Sequence, residues 1–269
     1  MRYVMHPDMV YQYPIWAVGL LLVGAAVFGA VLLELCARRL LPIELRQRHN
    51  DIAAAIFSII GVTYAVLLAF VAMLAWEGYN RAKAASYAEA ALIGNVYNLS
   101  AGLADPERSS IRNEIAGYAR RVVTVEWPAQ AEGLVVDQGS IYLDGLNQMA
   151  LAPHPPGQID GDLHSLLLQT IERLWDARQE RLLAAQTTIP DIVWFVVIVG
   201  GALTIAFSSF LGGPSLRMQL AMSAVLAASG ALVLLLIIAL SNPFRGDFRI
   251  STAPFEHLLS RMEVRAGEQ

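Results

Sequence analysis

Four long apolar runs decide what this chain can become. They extend from about Pro14 to Cys36, Ile52 to Trp76, Ile192 to Leu211 and Met218 to Leu240. Each is close to the roughly 20 residues that a helix needs to cross a bilayer. The chain is 56% hydrophobic and only 16% charged, whereas a soluble domain carries about 25% charged residues. The deficit lies in those runs. The expected fold is therefore all-α: a four-transmembrane-helix membrane protein whose first partner is the lipid bilayer.

Local chemistry supports the ends of the runs. Pro14 and Pro190 suit helix starts, because proline lacks the N–H that a first turn leaves unpaired. Gly212-Gly213-Pro214 reads as a tight turn, and Pro243 ends the fourth span. Tyr13, Trp16, Trp76, Tyr79 and Trp194 stand near span ends, where amphipathic rings favour the interface. The first span is too long for a signal peptide, and Arg38-Arg39 follow it where a cleavage site would need small residues.

The chain divides accordingly. Residues 1–79 form an N-terminal transmembrane hairpin, 80–189 a helical extramembrane segment, 190–241 a C-terminal transmembrane hairpin, and 242–269 a tail. In the extramembrane segment, Ala85, Ala88, Leu92, Val96 and Leu99 recur at helical spacing within a helix over 82–103. Asp105-Pro106-Glu107 reads as a helix start, with Asp105 as N-cap. Ile111, Ile115, Tyr118 and Val122 continue that helix until Trp127-Pro128 ends it. Pro153-His154-Pro155-Pro156-Gly157 is a loop. Asp160 or Asp162 then opens a long helix with Leu163, Leu167, Ile171 and Leu174 on one stripe. The segment reads as a helical bundle, with no strand alternation and no repeat.

Chemistry-bearing motifs are sparse. The five histidines, His6, His49, His154, His164 and His257, make no pair at metal-ligand spacing on one helix. Cys36 is the only cysteine, so no disulfide or cysteine zinc site forms within one chain. No metal or cofactor is expected, and no phosphate-cradling loop or nucleophile elbow appears. The net charge of −4 argues against nucleic-acid binding. Nothing here implies an enzyme.

Several charged and polar residues carry two readings each. Arg38, Arg39, Arg46 and Arg48 cluster between the first two spans. They are either a topological signal or an electropositive vestibule that attracts anions. Asn50-Asp51 suits helix capping, with a gating or ion-binding role as the alternative. Glu77 and Arg81 are spaced to pair on one helix face, either as an ion pair beside the interfacial anchor Trp76 or as part of a junction between pore and outer domain. Glu34 can snorkel or pair with Arg38. Ser58, Thr63 and Tyr64 in the second span either pack against other helices or line a pore. Glu126 reads as part of a helix terminus.

Two stretches resemble the bestrophin channels. The first is the run from Tyr64 to Trp76-Glu77-Gly78-Tyr79-Asn80-Arg81, followed by Gly94-Asn95-Val96-Tyr97-Asn98-Leu99. In bestrophins the second membrane helix ends in a similar aromatic-rich element. The second stretch is Ser241-Asn242-Pro243-Phe244-Arg245-Gly246-Asp247-Phe248, similar to the motif after the last bestrophin span. The order also matches, and the chain as a whole is most similar to a bacterial bestrophin-like family.

The resemblance implies a pentameric anion channel with an axial pore lined by the second span. It places an apolar neck at Ser58, Val62 and Val66, where serine departs from the family's apolar pattern. It makes Trp76, Glu77 and Arg81 the junction between pore and domain, and Asn242, Pro243, Phe244 and Asp247 the post-span motif. The calcium clasp of the animal proteins is not expected, since Asp247 stands between Arg245 and Arg249. The resemblance puts the helical domain in the cytoplasm of a bacterial inner membrane; the arginine loop, by the charge rule, argues the reverse. The resulting expectation is a homo-oligomeric, anion-conducting channel. The alternative is a non-conducting membrane scaffold or sensor whose helical domain binds a partner.

Overall fold

The computed structural model describes residues 11–152, 161–213 and 215–267. Helix α1 spans Ile15–Leu40, the short α2 Ile43–Arg48, and α3 Asn50–Leu99. A 3₁₀ turn at Ser100–Gly102 precedes α4, Glu107–Arg121. A π turn at Val122–Glu126 leads directly into α5, Trp127–Ala131. Then come α6 (Ser140–Leu151), α7 (Gly161–Gln186), α8 (Asp191–Ser208), α9 (Leu216–Ser241) and α10 (Ala253–Gly267). The described residues contain no strand.

Helices α1, α3, α8 and α9 are long and apolar enough to cross a membrane. Pro14 and Pro190 are the N-caps of α1 and α8, and α9 stops two residues before Pro243. The third span is shorter than its apolar run, because Ser209 and Phe210 already turn. Pro214, His6, His154, the 153–157 loop and Asp160 lie outside the described residues.

The chain forms two compact units, residues 11–77 with 188–241, and 78–187 with 242–267. In the first, α1 packs along α9. Gly19 makes this approach close: a Cβ there would stand 2.7 Å from Leu235 Cδ2. Tyr64 bridges α3 to α8 by donating to the Val197 carbonyl at 3.1 Å. It lies over Gly200 and Gly201, where any added Cβ would press on its ring. Phe57 stacks on Phe207 at 6.5 Å. The outer apolar surface stays open: Leu20, Leu21 and Phe28 are each about 70% exposed. In water such a surface would aggregate; in lipid it is matched to its solvent.

The second unit has one apolar core. Ile93 and Val96 of α3 meet Ile111, Ile115 and Tyr118 of α4, Leu143 and Leu146 of α6, Ile171 and Leu174 of α7, and Phe255 of α10, all at most 2% exposed. Trp127 anchors the tail: its ring meets Phe244 and Phe255 edge-on at 5.3 Å each, and its indole N–H donates to the Ile250 carbonyl.

Three local expectations change. Nothing separates the second span from the first extramembrane helix, because Trp76 to Leu99 contains neither glycine pairs nor proline to stop α3. Pro106, not Asp105, holds the N-cap position of α4, and Asp105 instead pairs with Arg108. Trp127-Pro128 does not end its helix. Pro128 has no N–H, so it forfeits a helical bond whatever its surroundings, and its ring crowds the carbonyl four residues back. The wider π turn before it relieves that crowding, and the Trp127 N–H donates to Val122. Helix α6, with Leu143, Leu146 and Ala150 inward, has no counterpart among the sequence expectations.

Candidate functional site

Helix α3 presents an open face within its membrane span. Ser58 is exposed, Val62 is 65% exposed, Val66 49% and Phe70 65%. Spacing of four keeps these side chains on one face, and the eight residue steps from Ser58 to Val66 cover about 12 Å of helix axis. The opposite side is occupied. Tyr64 reaches α8, and Leu68, Val71 and Ala75 are buried. The polar residues of the span divide between the two faces. Tyr64 packs, whereas Ser58 and Thr63 are exposed and donate to the carbonyls of Ala54 and Ile59, four residues back on their own helix. Their hydroxyls are thereby satisfied without a neighbouring helix.

Farther along, Trp76 is 54% exposed, and Glu77 and Arg81 are exposed and not paired with each other. In the post-span motif, Pro243 and Phe244 are buried, Asn242 is half-buried and Asp247 is exposed. The Pro243 carbonyl accepts from the Ile250 N–H at 2.8 Å, and Gly246 takes φ of 71°, a conformation that favours glycine. The motif thus folds as a compact turn that delivers Phe244 to Trp127.

The arginine cluster is not uniform. Arg39 and Arg48 are exposed. Arg38 is partly covered, donating to the Gly213 carbonyl and to Gln219. Arg46 departs from the expected role: it is 3% exposed, donates to Glu34 at 2.8 Å and caps the Leu211 carbonyl at 2.8 Å. Glu34 is fully buried, with Arg38 one turn on at 4.0 Å, so it does not snorkel. Gly212 permits this corner, since a Cβ there would meet the Gln47 nitrogen at 2.9 Å. Asn50 accepts the Gly212 N–H at 3.1 Å, tying the start of α3 to the same turn.

The most concentrated polar chemistry lies in the second unit. Glu89 of α3, Tyr118 of α4, Glu126 of the π turn, and Arg178 and Arg181 of α7 are all fully buried. Arg178 grips Glu126 with both terminal nitrogens, at 2.6 and 3.0 Å. It also donates to Asp137 at 2.6 Å and to the Tyr118 hydroxyl at 3.1 Å. Arg181 holds Glu89 at 2.5 and 3.1 Å and reaches Glu126 at 2.8 Å. Tyr118 donates to Glu89 at 2.5 Å, and the Gly139 N–H donates to Glu126 at 2.7 Å. Two buried cations thus meet two buried anions, with Asp137 at the rim.

Burial alone would push the Glu126 carboxyl up, but hydrogen bonds and charge from Arg178 and Arg181 overcome it and hold it below the usual glutamate range. Asp137 is lowered in the same way by Arg178. Burial, and then the Glu89 charge, drive the Tyr118 phenol well above its ordinary value. Both arginines are raised by their acids against the desolvation that opposes them. Glu126, Asp137, Tyr118 and the two arginines are each pushed away from titration near neutrality, which suits a structural clamp over a proton shuttle. No group of three metal-ligating side chains occurs among the described residues.

Glu126 is thus a buried double acceptor where a helix terminus was expected. The signal for the network was present in the spacing. The stripe Leu167, Ile171, Leu174 continues to Arg178 and Arg181, and Glu89 falls in the inward series Ala82, Ser86, Glu89, Ile93, Val96.

Comparison with known proteins accords with this architecture. No curated protein matches the sequence. A bacterial bestrophin homologue from Klebsiella pneumoniae, solved by Zn-SAD phasing, superposes with a TM-score of 0.69 at 12% identity, covering 90% of this chain and 97% of that one. A single-substitution variant of a bestrophin homologue from the same organism gives a TM-score of 0.72 at 12% identity, over 91% and 99% of the two chains. The family model described as Bestrophin-like domain matches residues 23–255. The chain belongs to the bestrophin-like family.

Proposed function

We propose that this protein forms a ring of identical subunits, a pentamer, around an ion-conducting pore lined by α3, with Ser58, Val62 and Val66 at its narrow neck and an anion as the permeant species. The observation that carries this reading is the one-sidedness of α3. Its Tyr64–Leu68–Val71 side is held by its own unit, while the Ser58–Val62–Val66 side stands open in the single chain. A ring places one such face from each subunit around a shared axis, which four helices of one chain do not achieve. Valines at a constriction gate by dewetting. Membership of the bestrophin-like family supports a channel over an enzyme.

On this reading the helical domain is cytoplasmic in a multi-pass inner-membrane protein. Arg39 and Arg48, with the partly covered Arg38, face the opposite compartment and concentrate anions there. Arg46 is excluded from that role by its bond to Glu34. Trp76, Glu77 and Arg81 mark the passage from pore to domain.

The test is flux through the purified protein in liposomes, with chloride against a large impermeant anion. Val62→Ala and Val66→Ala should each change the conductance at least severalfold. An anion conductance that both variants leave untouched refutes the neck. A monomer or dimer by native mass spectrometry removes the axial pore.

A further inference from the structure

On the second unit, α10 lays two arginines against α3. Arg261 and Arg265 are one turn apart, and both line a cleft of about 60 Å³ with Gly94, Tyr97, Asn98 and Leu258. A site needs on the order of 10–15 Å³ of such volume to hold a single water, so this cleft has room for a small oxyanion.

The cleft is shaped before any ligand arrives. Gly94 keeps its floor open, since a Cβ there would stand 3.2 Å from Leu258 Cδ1. Asn98 Oδ1 accepts from Arg265 Nη1 at 2.7 Å and fixes that guanidinium at the rim. The Tyr97 hydroxyl reaches the Met262 carbonyl at 3.5 Å and ties the two walls.

The charges are unbalanced. Neither Arg261 nor Arg265 has a carboxylate within ion-pair distance among the described residues. The acids of α10 are engaged elsewhere: Glu263 with Arg120 at 3.8 Å, Glu256 with the Thr252 hydroxyl at 2.5 Å. Like charges one helical turn apart are mutually destabilising. An oxyanion bridging them removes that repulsion and meets the planar fork that guanidinium offers to phosphate.

We propose that this cleft binds the phosphate group of a soluble ligand, inorganic phosphate or a small phosphoester. Arg261 and Arg265 hold its oxygens, and Asn98 orients Arg265.

The full-length protein in detergent is titrated calorimetrically with inorganic phosphate at fixed ionic strength. Native mass spectrometry after delipidation and addition of phosphatidylglycerol is the lipid control. Arg261→Gln, at an exposed position, and Gly94→Ala, which fills the floor without removing charge, should each weaken binding about tenfold or more, the size of one charge-assisted contact. Phosphate binding lost in both variants supports the site. Phosphatidylglycerol adducts lost in both would place a lipid headgroup there and overturn a soluble ligand. Absence of phosphate binding, or binding that survives Arg261→Gln, overturns the site. Conductance is not read, so the outcome is independent of the proposed pore.

Discussion

Replacing Glu126 with glutamine keeps the volume of the side chain and removes only its charge. The surrounding donors determine the damage. One carboxylate oxygen accepts from Arg178 Nη2 and the Gly139 N–H, the other from Arg178 Nη1 and Arg181 Nη2. All four partners are donors. Whichever way the new amide turns, its NH₂ meets two of them with nothing to accept. Two buried guanidinium groups are then left with Glu89 and the half-exposed Asp137. Removing one partner from a buried ion pair costs about 3–5 kcal/mol. For a chain of this size that corresponds to a fall in Tm of roughly 6–20 °C. The assay is thermal unfolding of the full-length protein followed by tryptophan fluorescence, since Trp127 lies under Arg181 at 5.6 Å. Glu132→Gln, at the exposed end of the same segment, is the control. A fall within about 2 °C, the scale of an ordinary surface change, would falsify the clamp.

Other outcomes rest on the same contacts. Glu126 has a depressed folded pKa, so its contribution to stability is complete above the ordinary glutamate value of about 4.3 and is lost as pH falls through the folded one; the Tm gap between wild type and Glu126→Gln should be constant from pH 7 to about 5 and shrink below that, and a gap unchanged at about pH 3.5 contradicts the assignment. Phe244→Ala should lower Tm by the cost of a buried aromatic, about 3–5 kcal/mol, and expose the Trp127 ring, read as a red-shifted emission maximum. Arg46→Met should leave the buried Glu34 with only Arg38, 4.0 Å away, and reduce yield or Tm far more than Arg48→Met; equal effects would show that the two arginines are equivalent. Val62→Ala in liposomes should alter anion flux while leaving Tm near wild type, because the side chain touches little within its own chain.

The fold was largely legible because its strongest determinant is length of apolar sequence, which needs no knowledge of partners. Three spans match their apolar runs within a few residues at both ends, and the second begins two residues before its run but continues unbroken to Leu99. The errors arose where two local signals competed. Trp127-Pro128 read as a terminus because proline forfeits a hydrogen bond, yet a π turn absorbs it. The run from Trp76 to Arg81 read as an end because its hydropathy changes, but hydropathy marks the membrane surface and not the helix backbone. The candidate site was less legible. Which arginines of a cluster remain free depends on the fold: Arg46 and Arg48 are two residues apart, and only Arg46 finds a buried acid and an orphan carbonyl. Glu89, Arg178 and Arg181 were hidden by their charge. A stripe counted only in apolar residues stops short of the cations that continue it, and only the pairing across three helices makes their burial tolerable.

The π turn at Val122–Glu126 amounts to one surplus residue in an otherwise regular helix. Each residue of an α-helix advances about 100°, so that surplus resets the phase of everything after it by about that angle. Without the reset, Trp127 would point to the side opposite Tyr118; with it, Trp127, Glu126 and Gln130 all enter the interior. Deleting Thr124 should therefore regularise the backbone and ruin the core in one step, swinging the indole away from Phe244 and the carboxylate away from both arginines. The helix is tuned by its residue count as much as by its side chains, and a family alignment would be expected to show this segment intolerant of single-residue gaps.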